Sequence, residues 1–72
     1  MTYKFSVIIE REKNWYVSLC PSLEVASQGK TVEEAYKNLQ QAVKLYLETA
    51  DKSEIEIRSQ PPLVTTLEVV VG

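Results

Sequence analysis

Ser27-Gln28-Gly29-Lys30-Thr31-Val32-Glu33-Glu34-Ala35 is the stretch on which the fold turns. A weakly patterned apolar–polar run ends here, and a helix begins. Thr31 followed three residues later by Glu34 has the spacing of a capping box, in which each side chain satisfies a backbone N–H at the helix start. Glu33 and Glu34 add negative charge at the positive end of the helix dipole. Downstream, Val32, Ala35, Tyr36, Leu39, Ala42, Val43, Tyr46, Leu47 and Ala50 recur at spacings of three and four. They make one apolar stripe of a helix from Val32 to about Ala50. Gly29 stands just before the cap, where an unusual backbone angle would favour glycine.

Upstream, the period changes from 3.6 to 2. Tyr3, Phe5, Val7 and Ile9 alternate with Lys4, Ser6, Ile8 and Glu10, the pattern of a half-buried strand. Arg11-Glu12-Lys13-Asn14 is a polar break of hairpin length, with Asn14 suited to a positive φ. Trp15 to Cys20 resumes the alternation, and Pro21-Ser22 breaks it, because proline donates no ladder hydrogen bond. Glu24 to Gln28 lies where the third strand of a meander belongs. If the helix covers Phe5, Val7, Trp15, Val17 and Leu19, the other face carries Lys4, Ser6, Ile8, Tyr16, Ser18 and Cys20. On that face Ile8, Tyr16 and Cys20 are candidates for an apolar contact patch. The same spacing fits isolated exposed apolar side chains.

Beyond the helix, residues 51–63 read as a connecting segment. Ile55 and Ile57 alternate with Glu54, Glu56 and Arg58, which suits a short strand or arm, and Pro61-Pro62 favours an extended path. Residues 64–71 are rich in β-branched side chains and read as a last strand, with Leu67, Val69 and Val71 on one face. Val69-Val70-Val71 is apolar on both faces, which is hazardous for an uncovered edge. Leu67, Val69, Val70 and Val71 are therefore further interface candidates. The chain as a whole, 1–72, reads as a single α+β domain. Its architecture is two-layer β-β-β-α-β: a three-stranded antiparallel meander, a helix across one face and a final strand.

A formal charge of −2, with lysines and arginines scattered among acids, argues against a sequence-independent grip on nucleic acid. The single cysteine, Cys20, excludes an internal disulfide and a Cys-based metal site, and its apolar surroundings suit a packed side chain. No apolar run approaches the ~20 residues of a membrane span, so the expected compartment is the cytoplasm, with no membrane partner. Histidine is absent, which removes the commonest general base and metal ligand. Glu10, Glu34 and Glu68 are the carboxylates that a two-metal site would need. Each has a simpler part to play, at a hairpin, at a helix cap and on a solvent-facing strand position. The expectation is a protein that is not an enzyme, with no catalytic, cofactor or metal residues.

Three tracts carry a family resemblance. Phe5-Ser6-Val7-Ile8-Ile9-Glu10, Trp15-Tyr16-Val17-Ser18-Leu19-Cys20-Pro21 and Ser27 to Ala35 resemble the HicB antitoxin family. Asn38, Ala42, Tyr46 and Leu47 fit its helix pattern. The resemblance spans residues 3 to about 50. It departs where family members commonly carry a Pro-Gly pair and this chain has Glu24-Val25. It implies a degenerate RNase H-like fold and a partner, a small RNA-cleaving HicA-type toxin that the domain would neutralise. Many members add a C-terminal DNA-binding domain; no residues remain here for one, so direct DNA binding is not expected. A chain this short buries little core, and a homodimer or higher homo-oligomer is expected on that ground. The alternative function is a stand-alone oligomeric interaction domain with a different partner.

Overall fold

The structure, a computed structural model, describes residues 3–58 and 63–72, apart from the side chains of residues 56–58. Three strands lead the chain: β1 (Ile8–Glu12), β2 (Trp15–Cys20) and β3 (Val25–Gly29). They form an antiparallel meander in the order β1-β2-β3. The long helix α1 (Val32–Thr49) crosses one face, chiefly over β3 and β2, and a short helix α2 (Lys52–Arg58) follows. The expected α+β order of three antiparallel strands and a helix is therefore the observed one.

Turn chemistry sets the register. Glu12 pairs with Trp15, so the β1–β2 loop is only Lys13-Asn14. Its left-handed residue is Lys13, at φ 55°, rather than Asn14. Lys13 is the first loop residue, the position that both hairpin-favoured turns place at positive φ. The β2–β3 loop closes through Leu23 N–H donating to the Cys20 carbonyl at 3.2 Å and Glu24 N–H to the Pro21 carbonyl at 3.3 Å. It ends on Glu24 at φ 56°. A left-handed non-glycine residue costs ~1–2 kcal/mol, against ~0.5–1 kcal/mol for the extra chain entropy of glycine. Glu24→Gly is accordingly expected to stabilise the domain by about 0.5–1 kcal/mol, read as a higher urea midpoint; a lower midpoint would contradict the reading.

The start of α1 follows the sequence closely. Thr31 is the N-cap, and its Oγ1 accepts from Glu34 N–H at 3.0 Å. Glu34 Oε1 reaches back to accept from Lys30 N–H at 3.2 Å, one residue before the partner a standard capping box would use. Asn38 Nδ2 donates to the Gln28 carbonyl at 2.7 Å, and the buried Ser18 Oγ donates to the Ala35 carbonyl at 2.8 Å. These two bonds fasten the helix to β3 and β2.

The core lies between helix and sheet. Cys20, Leu23 and Leu39 are buried together, with Phe5, Val25, Val43, Tyr46 and Leu47 partly buried around them. Leu39 is 1% exposed and central. Leu39→Ala is expected to cost about 2–5 kcal/mol through lost burial and the cavity left behind. For a domain of this size that is a fall in Tm of at least about 10 °C, measurable by circular dichroism.

Two expectations for the C-terminal third need correction. Residues 52–58 are helical, not a strand or arm. Asp51 caps this helix: its Oδ1 accepts from Ser53 N–H and Ser53 Oγ, both at 3.2 Å, and its carbonyl accepts from Ile55 N–H at 3.0 Å. Ile55 is buried, and Tyr46 Oη donates to Glu54 Oε1 at 3.4 Å, tying α2 to α1. The segment expected as the last strand, 64–71, pairs with no strand among the described residues. From Leu63 to Val71 its apolar side chains are 60–92% exposed. The Cα radius of gyration is 14.2 Å, against about 11 Å for a compact chain of this length. A strand needs a neighbour for its N–H and C=O groups, and one copy of the chain supplies none here.

Candidate interaction surfaces

Alternation and register together decide which side chains face the helix. In the β1–β2 ladder Ile9 stands opposite Ser18 and Ile8 opposite Leu19. Odd positions of β1 thus share a face with even positions of β2. Tyr16, Ser18 and Cys20 lie on the helix side, where Ser18 and Cys20 are fully buried. The patch expected from Ile8, Tyr16 and Cys20 is not assembled, because a two-residue loop puts Ile8 on the opposite face from the other two. Cys20 has no disulfide and is packed beneath α1.

The face away from the helix carries Ile8, Trp15, Val17 and Leu19 instead. Ile8 and Leu19 are directly opposed, and Val17 pairs with Glu10 and Trp15 with Glu12. Trp15 is 42% exposed and Leu19 37%. Lys30 Nζ sits 5.9 Å from the centroid of the Trp15 ring, a cation–π contact at the rim. Ala26 and Gln28 extend the same face on β3, opposite Leu19 and Val17. The result is an apolar strip bordered by two glutamates on the β1 side and one lysine at the end. An exposed contiguous apolar strip with a polar border is the ordinary anatomy of a contact surface.

A second open surface lies on the helix side. α1 leans over β3 and β2 and scarcely touches β1, which leaves a groove of about 580 Å³ beside the N-terminal segment. Phe5 and Val7 of the N-terminal segment and Cys20 of β2 form one wall, with Leu39, Val43 and Leu47 on the helix wall. Tyr3, stacked on Phe5 with ring centroids 6.3 Å apart, lines one end. Lys44 and Glu48 add charge to the helix side. The remaining candidates, Leu67, Val69, Val70 and Val71, are all on the exposed C-terminal segment and reach neither surface.

Of the carboxylates considered for a metal site, Glu34 is engaged at the helix cap, Glu10 lies on the outer sheet face and Glu68 on the C-terminal segment. Among the described residues no three His, Cys, Asp or Glu side chains come together as a metal site. Among them, too, no helix is long and apolar enough to cross a membrane.

The fold and these surfaces define a small α+β domain with apolar faces left open for contact. No family model and no solved structure matches the chain. Curated relatives do. A UPF0150 protein of Helicobacter pylori is 36% identical over 56 residues, 76% of this chain and 78% of the relative. Two UPF0150 proteins of Synechocystis are 32% identical over 71 residues and 34% over 70, covering 90% and 94% of their lengths. The chain belongs to the UPF0150 family.

Proposed function

We propose that this UPF0150 chain is a HicB-like antitoxin module that binds and neutralises a small RNA-cleaving toxin of the HicA type. In this reading it acts in the cytoplasm, as a homo-oligomer, by binding and not by catalysis. The observation that carries the reading is the outer strip of Ile8, Trp15, Val17 and Leu19 with Glu10 and Glu12 beside it. An RNA-cleaving partner must present a basic surface to its substrate, and an apolar strip with carboxylates along it complements such a surface. The resemblance to HicB proteins over residues 3 to about 50 supplies the choice of toxin.

The direct test is co-expression with a HicA-type protein, taken from a reading frame adjacent to this gene. Growth arrested by the toxin should resume, and the two proteins should copurify. Continued arrest with the soluble chain present at equal level would refute the reading.

A second reading, a stand-alone oligomeric interaction domain, is favoured by the exposed apolar segment from Leu63 to Val71. It expects self-association without any toxin and no rescue of growth.

A further inference from the structure

We infer that residues 64–71 of one copy of this chain add as a strand to the free edge of β1 in a second copy, filling its groove. The inference deepens the oligomer reading given above and does not depend on the toxin. Three observations converge on it. The C-terminal segment has strong strand propensity and is apolar, yet in a single chain it stands clear of the body. β1 is an edge strand, paired with β2 on one side only. Beside Tyr3 to Val7, the residues that lead into that strand, lies a largely apolar groove that the segment of its own chain does not line.

Dimensions and pattern fit. Eight residues of strand span ~26 Å, whereas the groove follows α1 from Tyr36 to Glu48, a rise of ~18 Å. Alternation places Leu67, Val69 and Val71 on one side and Thr66, Glu68 and Val70 on the other. With Thr65 at its start, the first row is apolar from Leu67 onward and would enter between Phe5 and Val7 of the N-terminal segment and Val43 and Leu47 on the helix wall. Glu68 and Thr66 would then face away from the groove. The new ladder would satisfy backbone groups that a lone edge and a lone segment both leave to water.

Reciprocity selects a second copy as the occupant. Each copy owns one segment and one groove, so exchange closes on itself as a two-fold dimer with nothing left over.

The test uses the full-length chain at micromolar concentration. Light scattering should give twice the chain mass. In an equal mixture of isotope-labelled and unlabelled chains, filtered NMR should show intermolecular contacts from Leu67, Val69 and Val71 to Phe5, Val43 and Leu47. Leu67→Asp/Val69→Asp alters side chains that are 84% and 67% exposed in one chain. It should leave the monomer folded and weaken dimerisation at least 100-fold. A single-chain mass for the unaltered protein would sink both this inference and the oligomer reading. A dimeric mass with these contacts arising only within one chain, or missing, would sink the inference and leave the oligomer reading standing. So would an undiminished dimer in the double variant.

Discussion

Gly29→Ala should destabilise the domain by about 3 kcal/mol, the upper part of the usual range for forcing atoms into a packed site. The whole stability of a 72-residue chain is on the order of 4–11 kcal/mol, so this one methyl group removes a large share. A β-carbon at Gly29 would lie 2.5 Å from the Ala35 nitrogen, 2.8 Å from the Glu34 carbonyl carbon and 2.9 Å from Glu34 Cβ. Two of those three atoms are backbone in the first turn of α1, which cannot swing aside as a side-chain tip would. The helix would have to lift off β3. With it would go the Ser18–Ala35 and Asn38–Gln28 bonds, which depend on that spacing. The reason for glycine is therefore room and not backbone angle, since Gly29 has no positive φ. A second variant separates the two explanations. Asparagine tolerates left-handed backbone well, so a conformational role would let Gly29→Asn outperform Gly29→Ala. Close approach makes Asn at least as damaging as Ala. Urea midpoints of the three proteins decide it, and a Gly29→Ala midpoint equal to that of the unaltered chain would rule out the steric account.

What could be read in the sequence depended on whether the signal was local. The capping residues, the 3.6-residue stripe of α1 and the alternation of β2 are all local, and the structure follows them; the first strand is shifted, running over Ile8–Glu12 where the alternation points to Tyr3 to Glu10. The assignment of faces was not local. Reading Trp15, Val17 and Leu19 onto the same face as Phe5 and Val7 requires a loop with an odd number of residues. The register instead pairs positions whose numbers sum to 27, as in Glu12 with Trp15, so an odd position always faces an even one. Parity alone then inverts β2 and moves Tyr16 and Cys20 to the helix side. The second helix has a local signal too. Asp51-Lys52-Ser53-Glu54 has the same spacing as Thr31 to Glu34, but the alternation of Ile55 and Ile57 beside it fits a strand equally well. Residues 64–71 carry five apolar side chains in a run of strong strand propensity. Propensity does not supply a pairing partner, and among the described residues of one copy the segment from Leu63 to Val71 has none.

Trp15→Ser/Leu19→Ser should leave the fold close to intact and abolish toxin neutralisation. Both side chains lie on the sheet face opposite α1, and neither belongs to the buried cluster of Cys20, Leu23 and Leu39. The identified contact of Trp15 that the change removes is the one with Lys30, worth ~0.5–1 kcal/mol at an exposed site. Binding is a different matter. A large aromatic that becomes buried in a contact can contribute about 2 kcal/mol or more, so its loss weakens affinity by about 30-fold or more. Removing its apolar neighbour as well extends the loss. Cys20→Ala is the informative contrast, because Cys20 is 0% exposed and sits under the helix. It should lower the melting temperature while leaving affinity for the partner unchanged under folding conditions. Had Cys20 formed part of the contact strip, the two variants would exchange their effects. Circular dichroism and a toxin pull-down on the same preparations read both quantities. Full rescue of toxin-arrested growth by the Trp15→Ser/Leu19→Ser protein would move the contact surface off the outer sheet face.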